Sequence, residues 1–131
     1  DLKAAQDALS ALFKKACGKD NLTVKVEKFK NKDISSMLTV SEESRRMQEM
    51  MKMYNMYGMD PSMFGGDETL VLNVDNDLVK YMFEHADGEN VELFAQQLYD
   101  LACLANKPLA PEAMTAFVAR SNKIMMLLAQ E

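Results

Sequence analysis

Seven of the twelve methionines fall between positions 47 and 63: Met47, Met50, Met51, Met53, Met56, Met59 and Met63, one to four residues apart. Two chemistries fit such a run. A thioether sulfur is a soft ligand of the kind Cu(I) selects. The same side chain is also a flexible apolar group, favoured where a surface must adapt to many partners. Tyr54 and Tyr57 lie among these methionines, which favours an apolar surface over a metal site. A Met-rich groove of the signal-sequence-binding kind would also have to hold RNA and be strongly basic. Here Lys and Arg number 15 against 20 Asp and Glu.

Nucleophilic chemistry has little to work with. His85 is the only histidine, so a thiol–imidazole pair would need Cys17 or Cys103 beside it. Cys103 sits in an apolar helical pattern, where a thiol's pKa rises and its reactivity falls. His85 near a helix C-terminus reads as a capping residue that gains from the helix dipole when protonated. The two cysteines read as reduced, buried small hydrophobes, the usage expected of a cytoplasmic protein.

The net charge of −5 opposes nucleic acid and anionic membranes as partners, since both select basic patches. No apolar run approaches the roughly 18 residues that suggest a membrane span, and no signal-peptide pattern is present. The 131 residues suit one domain. Asp1 opens directly into an amphipathic helix with no initiator Met, as expected of a piece cut from a larger protein.

The elements that must carry these residues follow from periodicity. Leu2, Ala5, Leu9, Leu12, Phe13 and Ala16 have helical spacing, with Gly18 as the stop. Leu22, Val24 and Val26 alternate with polar residues as in a half-buried strand. Asn31-Lys32-Asp33 reads as a turn into a second strand that places Ile34, Ser36, Leu38 and Val40 on one side. An antiparallel hairpin is the simplest pairing of the two. Ser41 caps a helix over Glu42 to Tyr57, on which Met47, Met50, Met51, Tyr54 and Tyr57 share the face expected to pack on the sheet. Met53 and Met56 fall beyond that face, and Met59, Met63 and Phe64 follow in a loop running from Asp60 to Asp67.

Thr69 to Val74 forms a third strand, and Asp75-Asn76-Asp77 caps a helix presenting Leu78, Val79, Met82, Phe83 and Ala86. Two helices close the chain. Val91 to Asn106 carries Val91, Phe94, Ala95, Leu98, Leu101, Ala102 and Ala105 on one face, with Leu93 and Leu104 on the other. Pro111 starts the last helix, with Phe117, Ser121, Ile124 and Leu128 on one stripe. Met114, Val118 and Met125 widen that stripe, and Met126 and Leu127 lie outside it. A helix apolar nearly all round needs several neighbours. The economical solution is a second copy, two helices from each subunit forming a four-helix bundle about a two-fold axis. The expected class is therefore α+β: a small three-stranded, mainly antiparallel sheet covered by helices, with an intermolecular bundle at the end.

The order of these elements resembles the C-terminal dimerisation domain of the heat-shock protein 90 chaperones, the bacterial HtpG type most of all. Ser41-Glu42-Glu43-Ser44-Arg45-Arg46-Met47, Leu72-Asn73-Val74-Asp75-Asn76-Asp77-Leu78-Val79-Lys80 and Phe117-Val118-Ala119-Arg120-Ser121-Asn122-Lys123 carry the likeness. The resemblance implies a constitutive homodimer through Leu98, Leu101, Ala102, Phe117, Ser121, Ile124, Met125 and Leu128. It also implies a surface for non-native client proteins at Met50, Met53, Tyr54, Met56, Tyr57 and Met59. ATP and magnesium would belong to a separate N-terminal domain, so no catalytic residue, metal or cofactor is expected in these 131 residues. The chain ends Leu128-Ala129-Gln130-Glu131, without the acidic tail by which eukaryotic cytosolic members recruit co-chaperones.

Overall fold

The computed structural model describes residues 2–53 and 68–130, and within the helix at 42–53 the side chains at 42, 45, 46, 49, 50 and 53. The described elements run α1 (Leu2–Cys17), β1 (Thr23–Glu27), β2 (Ser36–Val40), α2 (Glu42–Met53), β3 (Glu68–Asn73), α3 (Asp77–Glu84), α4 (Val91–Leu104) and α5 (Pro111–Ala129). They form an α+β fold around one three-stranded sheet.

α1 behaves as its periodicity demands. Ala5, Leu9, Leu12 and Phe13 are buried on one face, although Leu2 at the frayed start stays exposed. Gly18 takes φ +64°, and the Lys19 amide reaches back to the Lys14 carbonyl at 3.1 Å. That bond closes the last turn in the left-handed way that only glycine makes without strain.

The sheet departs from the expected hairpin. Its order is β1-β3-β2, with β1 parallel to β3 and β2 antiparallel to it, so the sheet is mixed. The physical reason lies in β3. Leu70, Val71, Leu72 and Asn73 are all buried, the unbroken burial of a central strand covered on both sides by its neighbours. β1 and β2 alternate instead, as edges with one face toward the core. On that face Val24 and Leu38 flank Leu70, and Val26 and Ser36 flank Leu72.

Asn73 holds this order in place. Its side chain is fully buried and uses all four of its hydrogen-bonding positions. Oδ1 accepts from the amides of Phe29 at 3.2 Å and Asp75 at 3.0 Å. Nδ2 donates to the carbonyls of Asn31 at 3.1 Å and Ile34 at 2.8 Å. The connection from β1 to β2 is thus wrapped around the end of β3 rather than turned back as a hairpin. Asn76 adds to the clamp, donating to the Lys32 carbonyl at 2.9 Å while its Oδ1 caps α3 at the amides of Leu78 and Val79.

α1 packs on β1 and α4, and α4 packs on β2. These two helices cover the inner face of the sheet. They also block its edges: Gln6 of α1 accepts from the outward amide of Val26 at 3.1 Å, and Asn106 beyond α4 donates to the Leu38 carbonyl at 3.2 Å. Covering an edge in this way prevents strand addition from another chain. On α3, Val79 and Met82 enter the core, whereas Phe83, expected on the same face, is exposed.

Candidate functional site

α5 runs for 19 residues and buries none of them. What holds it to α4 is a polar seam. The Arg120 guanidinium donates from Nε to Gln96 Oε1 at 3.2 Å and from Nη1 to Gln97 Oε1 at 3.2 Å. The same Nη1 pairs with Asp100 Oδ2 at 2.9 Å. Gln97 Nε2 in turn donates to the Ser121 hydroxyl at 2.8 Å, and that hydroxyl donates to the Phe117 carbonyl at 2.8 Å. Both ends of the ion pair are mostly shielded from water, which strengthens the bond relative to a surface pair.

The apolar residues next to this seam are left over. Leu101 lies one turn beyond Gln97 on α4, while Val118, Met125 and Leu128 lie at −3, +4 and +7 from Ser121 on α5. The Gln97–Ser121 bond brings these two helical stripes to the same side of the pair. Val118 is 50% exposed, Met125 59% and Leu128 62%, with Leu101 close behind. Phe94, Met114, Phe117 and Ile124 are half-buried beside them. These exposed and half-buried apolar side chains lie along the α4–α5 pair beside the seam.

The expected interface residues therefore divide. Leu101, Met125 and Leu128 face outward, and Phe117 and Ile124 are half covered. Leu98 and Ala102 belong instead to the chain's own core, because α4 turns that stripe onto the sheet, and a second copy has no access to them. Ser121 is committed to the seam within the subunit. The residues that sequence reasoning passed over are Gln96, Gln97, Asp100 and Arg120. Their signal was present: an arginine inside an apolar helix, facing polar residues at i, i+1 and i+4 of its neighbour.

The methionine helix is the second exposed surface. Met53 is 78% exposed and Met50 52%. Met50 was expected on a face packed against the sheet. Met50 is exposed instead, and among the described α2 side chains Arg45 and Glu49 line the cleft toward β2 and the end of α4. Tyr54, Met56, Tyr57, Met59, Met63 and Phe64, and with them the end of the expected helix, lie outside the described residues. So do the side chains of Met47 and Met51.

The thiols behave as expected of apolar surroundings. Burial pushes Cys17 up from its ordinary 9.0 to about 11, with the nearby Asp100 carboxylate adding to the effect. Burial also raises Cys103. Between them in sequence, Tyr99 is buried and donates to Glu68 Oε1 at 2.6 Å; desolvation and that bond raise its pKa as well. His85 caps α3, its Nδ1 lying 3.0 Å from the Tyr81 carbonyl, and its ring stacks on Tyr81. Among the described residues, no group of three or more His, Cys, Asp and Glu is placed to hold a metal ion. No described helix is long and apolar enough to cross a membrane. Set against protein-family models and against curated proteins, the chain matches none.

Proposed function

We propose that this chain is the homodimerisation module of a molecular chaperone of the heat-shock protein 90 kind, with α4 and α5 joining two copies and α2 offering its methionines to non-native proteins. The observation that carries the proposal is α5 itself, a long apolar helix with no buried residue and an exposed strip alongside. An apolar strip of this kind gains roughly 25 cal/mol for each Å² it removes from water. Two copies related by a two-fold axis would each supply the same strip and cover the other's. Such a joint would keep two appended ATP-dependent domains at high effective concentration, so that their closure becomes effectively intramolecular.

Sedimentation velocity across nanomolar to micromolar concentrations tests the joint. The 131-residue chain should sediment as a dimer, and Met125→Glu with Leu128→Glu should return it to a monomer that melts as before. A dimer that survives both this pair and deletion of residues 111–131 would remove α5 from the interface. For the client surface, Met50→Glu with Met53→Glu should weaken suppression of an unfolded protein's aggregation while leaving the dimer intact. Unaltered suppression would make those two residues bystanders.

A further inference from the structure

The seam between α4 and α5 has a property that the association proposal does not need. Apolar packing attracts without choosing direction, and α5 has apolar residues outside its main stripe, at Met126 and Leu127. Such a helix could settle on α4 in several rotations with similar burial. The clefts on either side do little to decide among them. One, of about 230 Å³, lies between the end of α1, α4 and α5, where Ala16, Ala113 and Ala116 leave room and Gln96, Asp100 and Arg120 form part of the wall. The other, of about 480 Å³, opens between Glu92 and Gln96 of α4 and Lys123 and Leu127 of α5. Between these two openings stands the Arg120 cluster, with directional bonds to Gln96, Gln97 and Asp100.

We propose that Arg120 and its three acceptors on α4 are a register lock, which fixes the rotation of α5 and so decides which apolar strip is presented to a second copy. These are specificity-determining residues for association, a proposal that rests on α5 being the association helix. The planar guanidinium with several fixed donors suits this task, since its bonds hold only over a narrow range of angles. Gln96 ties the lock to the body of the domain as well. Its Nε2 donates to the Ala16 carbonyl at 2.9 Å, at the end of α1, while its Oε1 serves Arg120. α5 is thereby referenced to α1 and the sheet, not to α4 alone. Buried polar groups have their best-attested role in setting register in this way.

The test replaces the lock with apolar side chains of similar size, Arg120→Met with Asp100→Leu, in the full chain. Spin labels at Glu92→Cys and Asn122→Cys, both exposed positions, report the α4–α5 distance after Cys17→Ala and Cys103→Ala. An excess of unlabelled chain keeps distances between subunits out of the signal. The parent should give one narrow distance. The apolar pair should give a distribution at least twice as broad or a second distance, and association weaker by about tenfold, a mid-range coupling for a shared network. An unchanged narrow distance overturns the lock.

If the pair lacks a cooperative melt, Arg120→Lys and Gln97→Ala take its place. Lysine keeps the charge opposite Asp100 but not the fork, so partial broadening is expected, and no broadening in either variant again overturns the proposal. A parent chain that never dimerises would instead sink the association reading. The distance measurement would still decide the lock.

Discussion

α1 and α5 are similar in length, 16 and 19 residues, and both carry apolar residues at helical spacing. α1 places four of its residues in the core, against β1 and α4. α5 places none, and meets α4 through Arg120 and Ser121 bonded to Gln96, Gln97 and Asp100. The difference does not come from how oily the helices are. It comes from where each helix sits: α1 and α4 cover the inner face of the three-stranded sheet, Val79 and Met82 of α3 complete the core, and α5 lies outside that set. α5 stays on α4 through the Arg120 seam, with Met114, Phe117 and Ile124 only partly covered and Val118, Met125 and Leu128 exposed.

The sharpest way to break this comparison is to truncate one aromatic ring on each helix. Phe13 is fully buried, so Phe13→Ala should cost roughly 3–5 kcal/mol, the range for truncating a buried aromatic ring and a large share of the roughly 5–15 kcal/mol that keeps a typical domain folded. Phe117→Ala should cost roughly 1–2 kcal/mol in a dilute monomer, because the ring is only partly covered and lies outside the core cluster. Urea titrations at nanomolar concentration measure both. Equal losses would mean that α5 belongs to the core after all.

Next in size is Asn73, which sets the strand order on which the α1 seat depends. Asn73→Asp turns both donated bonds into contacts between a carboxylate and the carbonyls of Asn31 and Ile34. It should cost roughly 2–4 kcal/mol, the combined penalty of two or more unsatisfied buried groups. A loss below about 1 kcal/mol would mean that the connection between β1 and β2 does not need its clamp.

The same residues show what was legible in the sequence. α1, the burial pattern of β1 and the Asn76 cap could be read from period and residue type, because each is decided locally. The strand order could not. Two neighbouring strands suggest a hairpin until β3 is seen to be buried from Leu70 to Asn73, and Asn73 reads as one more turn residue until its four partners, 39 to 44 residues away on three of the bonds, are known. The surplus of apolar surface at the end of the chain was legible. Its division was not: Leu98 and Ala102 share the periodicity of Leu101, and only the packing of α4 on β2 separates those spent in the core from those left in water.

A smaller effect comes from the end of α1. The Cys17 thiol is raised to about 11 from 9.0, and Cys103 and Tyr99 are raised too. A raised pKa on a group that is neutral when protonated means that the folded chain keeps protons the unfolded chain has lost. Stability should therefore hold level up to about pH 9 and fall as pH climbs toward 11. Urea midpoints at pH 8 and pH 10.5 measure this, and Cys17→Ala should flatten part of the slope. Because Cys17 is only half-buried, solvent moderates its share. An unchanged slope in that variant would place the effect on Cys103 and Tyr99.

The smallest expected change is on α2, and its smallness carries the argument. Met50 and Met53 are exposed, as Leu128 is on α5, so Met50→Gln and Met53→Gln should each alter stability by less than about 0.5 kcal/mol, the range for surface sites without special contacts. Side chains whose removal costs the fold nothing contribute nothing to holding it together. If the same two substitutions reduce the capture of an unfolded protein, α2 and α5 share one physical condition, apolar surface the core never took up, and differ only in what covers it. If instead either substitution destabilises the isolated domain by 1 kcal/mol or more, α2 is docked on the body through its methionines. The likeness to α5 then fails, and α2 belongs with α1.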